Sequence, residues 1–552
     1  MAALQVEAIQ LLRSDTPVES NKRAAEHLPV QSHSVIKKIC CIGAGYVAST
    51  FTSPTSPPSC PKNPDVEVTI VDLSERRIQA WQSDDLPIHE PDLLEVVQSA
   101  RDAIIEGRKP NLFFSTNVDQ AIKEADCIFV SVNTPTKTIG RGQGRQSEMS
   151  YVEAAIRKIA EVAEDDKIIV EKSTVPVRTA ERMREILAAN CRPGVSFEIL
   201  SNPEFLAEGT AIKNLLTPDR IIIGSLNTAA GLSAAESLVD IYATWVPRNR
   251  IITMNLWSSE LAKLAANCIL AQRISSINAL SAICEVTGAD IAEVSYACGL
   301  DSRIGPKMLG ASVGFGGSCL KKDILSLAYI AESLHLPQVA DYWRSINDIN
   351  EYQKDRFSRR IVECLHHSLT NKRIAILGFA FKKDTGDVRE SAAISIVNDL
   401  VSEGGSIAIY DPKAPDENIW YELESTSPDI KLLHERVTIY RSAHEACVGA
   451  HAVVIVTEWD EFSNKTKAKP LPAVDATTPP RTPLATVAPQ EGYIESKETK
   501  PVAGRVDWAH VATVMRKPMY IFDGRNVIDE VKLEAMGFRV EGIGKAGTVR
   551  VS

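Results

Sequence analysis

The sequence predicts an α/β protein in which two doubly wound, Rossmann-like domains are joined by a central helical domain with one long helix. Two observations predict the paired α/β domains: an apolar run that enters a glycine turn occurs twice, and each copy is followed by a second run that ends in aspartate. A third observation predicts the helix between them, because apolar residues recur at three- and four-residue spacing from Ser258 to about Ile283 with few helix breakers.

The first copy has the pattern of a dinucleotide site. Residues 36–42 (IKKICCI) enter a turn with Gly43 and Gly45, and residues 66–71 (VEVTIV) end in Asp72. Glycines let a pyrophosphate approach the backbone, and an aspartate at this strand end accepts hydrogen bonds from the adenosine ribose. The acidic residue favours NAD over NADP as the cofactor.

The segment after this turn departs from the pattern. A helix is expected there, yet residues 48–65 include four prolines within eight positions. Proline removes a hydrogen-bond donor and clashes with the preceding helical turn, so we expect the helix beneath the cofactor phosphates to be disrupted.

The second copy lies far downstream. Residues 372–377 (KRIAIL) enter a turn at Gly378, residues 407–410 (IAIY) end in Asp411, and residues 452–457 (AVVIVT) match residues 127–132 (CIFVSV) of the first copy. Three matched elements in the same order predict a second doubly wound domain.

These patterns divide the chain into domains. A segment rich in Pro, Thr, Ala and Lys without periodicity is predicted to be a flexible insertion in the second α/β domain. The predicted limits are an N-terminal extension (1–34), an NAD-binding domain (35–252), a central helical domain (253–368), a second Rossmann-like domain (369–544) with the insertion (464–504), and a tail (545–552).

The composition is that of an ordinary soluble globular protein, with 44% hydrophobic and 24% charged residues over 552 positions. A net charge of −10 argues against a nucleic-acid-binding surface, and no apolar run approaches the roughly 18 residues that span a bilayer. No secretory signal is apparent, and the eleven cysteines show neither paired nor metal-ligand spacing. We therefore expect a cytoplasmic protein with no metal site.

A cysteine follows the glycine-rich run 313–323 (VGFGGSCLKKD) and is the candidate nucleophile. Lys321 and Lys322 follow Cys319 after a single leucine, and a helix is predicted from Leu320, so cations and a helix N-terminus favour the thiolate. The alternative is a small packed residue, because free cysteines usually pack.

Lys263 and Asn267 stand four residues apart on the predicted long helix and therefore share one face. On the residues alone, a solvated polar stripe is the simpler interpretation of this pair.

Six further motifs carry a resemblance to a known family: SVNTPTKT, EKSTVPVR, SNPEFLAEGTAIK, LAANCILAQRISSIN, ASVGFGGSC and GFAFKKDTGDVRES. Together they resemble the UDP-glucose branch of the UDP-glucose/GDP-mannose dehydrogenases, from residue 36 to about residue 544 with interruptions at 48–65 and 464–504. The resemblance implies an NAD-dependent enzyme that oxidises the C6 alcohol of UDP-glucose to a carboxylate in two steps, giving UDP-glucuronate. It also implies that the second Rossmann-like domain binds the UDP-sugar.

The resemblance implies a catalytic role for six residues. Lys263 or a water held by Asp323 would take the alcohol proton, and Cys319 would attack the aldehyde to give a thiohemiacetal and then a thioester. Asn267 would stabilise the oxyanion. Glu204, with Thr174 nearby, would activate the water that hydrolyses the thioester.

The resemblance also implies two sets of binding residues and a homo-oligomer. Those expected to contact NAD are Gly43, Gly45, Asp72, Arg77, Ser131, Thr134, Ser173, Thr174, Glu208, Lys322 and Arg389. Those expected to contact UDP-glucose are Glu204, Phe205, Leu206, Glu208, Lys263, Asn267, Ala311, Ser312, Gly314, Phe315, Gly316, Lys382 and Arg525, with Arg303 reaching in from a neighbouring subunit.

Two rival hypotheses remain at this point. The disrupted segment 48–65 motivates a catalytically silent subunit that binds a UDP-sugar and assembles with active partners. A dehydrogenase of another sugar nucleotide is the nearer rival, and the density of UDP-glucose-type motifs argues against it.

Overall fold

The computed structural model describes residues 35–45, 66–88, 90–103, 109–465 and 504–545. Several predicted segments lie wholly or almost wholly outside the described residues: the extension 1–34, the proline-rich stretch 48–65, the insertion 464–504 and the tail 545–552.

The first α/β domain contains a sheet whose described strands have the order β3-β2-β1-β4-β5-β6-β7-β8. Strands β1 to β6 pair in parallel, whereas β7 pairs antiparallel to β6. Their apolar runs are buried on both faces, as expected for parallel strands covered by helices. The strands are β1 (Lys38–Ile42), β2 (Glu67–Val71), β3 (Leu112–Ser115), β4 (Cys127–Val130), β5 (Lys167–Glu171), β6 (Phe197–Ser201), β7 (Ile221–Ser225) and β8 (Ile251–Asn255).

Helices connect these strands and cover the sheet. The amphipathic helix α4, for example, buries Val152, Ile156 and Ile159 on one face. The helices are α1 (Glu75–Gln82), α2 (Leu93–Arg101), α3 (Val118–Glu124), α4 (Ser150–Val162), α5 (Thr179–Asn190), α6 (Ala211–Leu216) and α7 (Ala229–Ala243).

The central part of the chain is helical, as predicted. Its long helix α8 (Leu256–Thr287) packs against α10 (Leu320–Ser333) and α11 (Pro337–Cys364), and the shorter α9 (Ile291–Gly299) follows it. The predicted helix start at Ser258 is wrong by two residues, because Asn255 is the cap and its side chain accepts hydrogen bonds from the backbone of Trp257 and Ser258.

The second α/β domain repeats the topology of the first. Its described strands are all parallel in the order β11-β10-β9-β12-β13-β14, which matches β3-β2-β1-β4-β5-β6. The strands are β9 (Arg373–Leu377), β10 (Ser406–Tyr410), β11 (Val437–Ile439), β12 (Ala452–Ile455), β13 (Met519–Asp523) and β14 (Phe538–Gly542). The helices are α12 (Ala392–Ser402), α13 (Asp416–Thr426), α14 (Ile430–Arg436), α15 (Ala443–Cys447), α16 (Trp508–Val514) and α17 (Glu530–Ala535).

This shared strand order is that of the doubly wound dinucleotide-binding fold, so the predicted fold class is confirmed. Among the residues described, none of the helices combines the length and the apolarity needed to cross a membrane.

Candidate active site

Buried amide side chains on α8 and α11 fix the loop that precedes Cys319. Asn350 accepts a hydrogen bond from the Phe315 backbone amide (2.8 Å) and donates to the Phe315 carbonyl (3.1 Å). Asn278 accepts from the Ser312 amide (2.9 Å), and Gln353 donates to the Ser312 carbonyl (2.8 Å). The backbone predicted to meet the UDP-sugar is therefore held rigidly by the central helices.

The glycines of this loop allow close contact with other parts of the protein. Gly314 has φ +126° and lies where an added Cβ would be 2.8 Å from Asn350 Oδ1. A Cβ on Gly316 would lie 2.5 Å from the Glu390 carbonyl, and the Gly317 amide donates to the Arg389 carbonyl at 3.0 Å. The loop is thus wedged against the second α/β domain.

Cys319 caps the N-terminus of α10, as predicted, and its side chain is exposed. The prediction that Lys321 and Lys322 supply the positive charge beside this thiol is wrong. Lys321 Nζ pairs with Glu390 at 2.9 Å, and Lys322 Nζ donates to the Thr134 carbonyl at 3.0 Å, so both lysines turn to other partners. Desolvation by the surrounding protein raises the pKa of Cys319, and the positive charge of Lys263 opposes this rise without cancelling it.

Lys263 comes from α8 and lies deep in the site, with a side chain 5% exposed. Its Nζ forms an ion pair with Glu204 Oε1 at 3.1 Å. Burial lowers the pKa of Lys263, but the three acidic groups around it, led by Glu204, outweigh burial and hold the pKa above its ordinary value. Lys263 is therefore an ammonium in this arrangement.

Asn267 lies one turn further along α8 and faces Asp323 of α10. Asn267 Nδ2 donates to Asp323 Oδ2 at 2.6 Å, while Asp323 Oδ1 is buried and has no hydrogen-bond partner among the described residues. Burial raises the pKa of Asp323, and its neighbouring lysines and Asn267 oppose the rise. The solvated-stripe interpretation of Lys263 and Asn267 is therefore wrong, because both side chains contact acidic groups inside the site.

The loop after β6 delivers Glu204 and Phe205. The Leu206 amide donates to Glu204 Oε2 at 2.7 Å, which fixes the carboxylate that pairs with Lys263. The Arg220 guanidinium carbon lies 3.9 Å from the centroid of the Phe205 ring, on which it stacks.

The same loop carries Glu208 to the second α/β domain. Arg389 Nη2 lies 3.7 Å from Glu208 Oε1 and also pairs with Asp387. Burial and the nearby Asp387 raise the pKa of Glu208 to about 7, against the opposing effect of Arg389 and Lys382. Glu208 thus bridges the two α/β domains with a carboxyl group that titrates near neutrality.

The predicted dinucleotide turn requires glycine at its first position. Gly43 has φ +106°, and an added Cβ would lie 2.7 Å from the Ser131 carbonyl, so only glycine fits. Asp72 accepts hydrogen bonds from the amides of Ala44 and Ser74, both at 2.9 Å, and Arg77 lies 3.6 Å away. A carboxylate has about four acceptor positions, so two amides leave capacity for ribose hydroxyls. These residues fit NAD, and an added Cβ at Gly45 would meet no atom of the described residues within 4 Å.

A chain of hydrogen bonds joins this domain to the helix that carries Cys319. Lys322 Nζ donates to the Thr134 carbonyl, and Thr134 Oγ1 donates to the Thr174 carbonyl at 2.8 Å. Ser173 Oγ donates to the Val132 carbonyl at 2.6 Å. The predicted cofactor residues at the ends of β4 and β5 therefore form one connected edge next to α10.

The equivalent turn of the second α/β domain is closed. Asp411 accepts hydrogen bonds from the amides of Phe379 (2.7 Å) and Ala380 (2.9 Å) and from Trp459 Nε1 (3.1 Å). Phe379 and Ala380 are fully buried. Side chains therefore fill the position where the first domain has its dinucleotide turn.

Of the other residues predicted to contact the substrate, Arg525 and Lys382 lie near Phe381, whereas Arg303 lies outside the cluster. Arg525 donates to the carbonyls of Val456 (2.6 Å) and Phe381 (2.9 Å), next to the loop that Gly317 contacts. Lys382 Nζ lies 5.4 Å from the Phe381 ring centroid. Arg303 hydrogen-bonds within the described residues only to Asp301, and its side chain is 87% exposed, so a single chain does not bring it into the cluster.

Several residues that hold the site in place were not predicted from the sequence. Asn278, Asn350 and Gln353 hold the cysteine loop, yet they are polar positions on helices whose apolar spacing carries the visible signal. Lys172 Nζ donates to Asn202 Oδ1 at 3.0 Å, and both residues could have been selected from the sequence because they lie inside the motifs EKSTVPVR and SNPEFLAEGTAIK.

The first α/β domain has a turn that fits a dinucleotide, whereas the equivalent turn of the second is closed. A polar cluster around a cysteine lies between the two domains. This arrangement is that of an NAD-dependent dehydrogenase with a separate substrate domain. The chain belongs to the UDP-glucose/GDP-mannose dehydrogenase family: residues 37–246 match its NAD binding domain, residues 257–352 its central domain and residues 375–478 its UDP binding domain. This confirms the predicted family and agrees with the predicted NAD cofactor.

Similar proteins include curated enzymes from animals and plants. The chain is 51% identical over 510 residues to UDP-glucose 6-dehydrogenase of Drosophila melanogaster, covering 92% of this chain and 96% of that protein. It is 49% identical to UDP-glucose 6-dehydrogenase 1 of Oryza sativa subsp. japonica, covering 92% and 97%. Among solved structures, a UDP-glucose dehydrogenase from Pyrobaculum islandicum superposes with a TM-score of 0.71 at 26% identity, covering 94% of this chain and all of that one.

Proposed function

We propose that this chain is an NAD-dependent UDP-glucose 6-dehydrogenase that oxidises UDP-glucose to UDP-glucuronate. The observation that carries the proposal is the cluster in which the ion pair Lys263–Glu204 and the pair Asn267–Asp323 lie beside Cys319. Relatives of the same name that are about half identical over 92% of the chain support the choice of substrate.

Removal of the alcohol proton is the first task of the site. Lys263 is an ammonium, so it is suited to stabilise the developing alkoxide and is a poor proton acceptor. Asp323 Oδ1 is buried without a partner among the described residues, which suits a carboxylate that holds a water. Of the two bases considered from the sequence, we therefore favour a water on Asp323.

Bound NAD would be held by Gly43, Asp72 and the connected edge at Thr134 and Thr174, and it supplies a hydride acceptor for each oxidation. Cys319 adds to the C6 aldehyde, because a tetrahedral thiohemiacetal can lose a hydride and give a thioester. As sulfur bonds to carbon, the thiol proton passes through the water held by Asp323 to solvent. Asn267 and Lys263 stabilise the oxyanion that forms on C6.

Hydrolysis of the thioester releases the product. Glu204 takes a proton from water, the water oxygen bonds to the acyl carbon, the carbon–sulfur bond breaks, and Cys319 leaves as thiolate. Glu204 is suited to this role because Lys263 and the Leu206 amide fix its orientation.

The proposal includes the domain limits and the two sets of binding residues predicted from the sequence. It also includes a cytoplasmic compartment and a homo-oligomer. The exposed Arg303 supports a role in the site of a neighbouring subunit, and hence a homo-oligomer. The cysteines of the described residues are all free, which supports a reducing, cytoplasmic compartment.

Turnover of the full chain with UDP-glucose and excess NAD tests the function. We expect two NADH and one UDP-glucuronate per UDP-glucose, measured by absorbance and by mass spectrometry of the product. Calorimetric binding of UDP-glucose without NADH would instead identify a silent subunit, and faster turnover of another sugar nucleotide would overturn the substrate assignment.

A further inference from the structure

Lys172 is a buried lysine that the reaction outlined above does not use. It follows β5 directly and is 5% exposed. Its Nζ donates to Asn202 Oδ1 at 3.0 Å and to the Tyr242 hydroxyl at 3.3 Å, and Tyr242 also donates to Asn202 at 2.6 Å. Both direct partners of this ammonium are neutral.

A buried ammonium with neutral partners is unfavourable unless a negative charge lies near it. Glu204 supplies that charge, because Lys172 and Glu204 line one cavity, together with Tyr242. Burial lowers the pKa of Lys172 to about 8, and Glu204 and Cys41 oppose this effect while Lys263 reinforces it. Lys172 therefore carries a positive charge at neutral pH.

Resting on the proposed function, we propose that Lys172 is a positioning residue that acts through Glu204. Lys172 lines this cavity together with the oppositely charged Asp219 and Arg220, and its ammonium joins Lys263 in keeping the Glu204 carboxylate ionised and ready to accept the proton of the hydrolytic water.

The charges around Glu204 set the direction of the effect. Burial raises the pKa of Glu204, but Lys263, the Leu206 amide and Lys172 together outweigh burial and hold the pKa below its ordinary value. Loss of the Lys172 charge removes part of this opposition, so the pKa of Glu204 must rise. A general base works only in its ionised form. As the pH is lowered, the rate of thioester hydrolysis should therefore begin to fall at a higher pH in the variant than in the wild type.

The test is the pH profile of thioester hydrolysis, measured by quenching after the second hydride transfer and following the loss of the Cys319 acyl adduct by mass spectrometry. Between about pH 3.5 and about pH 8, Lys172→Met should move the acid limb upward by about one pH unit and should recover wild-type rates on the alkaline side. Lys172→Arg keeps the charge and should keep the limb in place.

Lys167→Met is the matched control. Lys167 is a buried lysine at the opposite end of β5, where its Nζ donates to the Lys123 carbonyl at 2.9 Å and pairs with Asp165. Its replacement should leave the acid limb unmoved. Asn202→Asp places a carboxylate beside Lys172, so it offsets the same charge and should shift the limb in the same direction even if Lys172→Met does not fold.

A limb that stays in place in both Lys172→Met and Asn202→Asp would overturn the inference, and so would a loss that is equal at every pH. Failure of the proposed function is a separate result, because wild-type enzyme would then form no UDP-glucuronate and no acyl adduct on Cys319.

Discussion

Gly316→Ala tests whether the cysteine loop must be wedged against the second α/β domain. The new Cβ would lie 2.5 Å from the Glu390 carbonyl oxygen, 3.0 Å from Phe381 Cβ and 3.1 Å from Ser391 Cα. Ordinary contact begins at 3.4 Å, so the backbones must separate by 3.4 − 2.5 = 0.9 Å. Two of the three neighbours are backbone atoms, so a change of rotamer cannot relieve the overlap.

A displacement of this size beside a reacting group lowers turnover by about 100-fold. We expect that loss in kcat for UDP-glucose oxidation, measured by NADH formation. Gly310→Ala is the matched control, because Gly310 precedes the same loop and an added Cβ there meets no described atom within 4 Å. The reasoning is refuted if Gly316→Ala retains kcat within about threefold of the Gly310→Ala control.

Three further predictions concern other parts of the chain. Cys319→Ser should abolish steady-state formation of UDP-glucuronate while calorimetry still detects UDP-glucose binding, because a serine hydroxyl is too weak a nucleophile to replace the thiol in forming the acyl intermediate; sustained turnover would exclude the nucleophile role. Deletion of residues 466–502 should leave kcat nearly unchanged, since the Val506 amide already donates to the Glu461 carbonyl at 2.9 Å and the flanks therefore lie together; an inactive or insoluble product would contradict this. In the folded protein the pKa of Glu208 is about 7, which is higher than in the unfolded chain. The native state therefore holds the extra proton and loses stability as the pH rises from about 4.5 to about 7. Glu208→Gln should reduce this pH dependence of the free energy of unfolding in urea, and an unchanged pH dependence would contradict the prediction.

Much of the architecture could be predicted because its signals are local. The apolar runs at β1 and β9, the aspartates that end β2 and β10, and the cap of α10 at Cys319 each depend on neighbours in the chain. The sequence pattern predicts the start of α8 at Ser258, whereas the observed cap, Asn255, is the last residue of β8 and has no apolar spacing to mark it.

Contacts between distant segments could not be predicted in the same way. Lys321 and Lys322 lie next to Cys319 in sequence, but their partners Glu390 and Thr134 come from the two α/β domains. The direction of a long side chain is set by these partners, and a single sequence does not reveal them. Asn350 was missed for the same reason, because its partner Phe315 is 35 residues away.

The closed turn at Asp411 has a kinetic consequence. Trp459 occupies the carboxylate of that turn, so within the described residues it offers no place for a second dinucleotide, and under the proposed function each chain would work with the turn at Gly43. An enzyme that removes two hydrides from one carbon at a single cofactor position must release NADH and admit fresh NAD between the steps. The half-oxidised sugar has to stay behind during that exchange, and the covalent bond to Cys319 in the proposed mechanism would retain it.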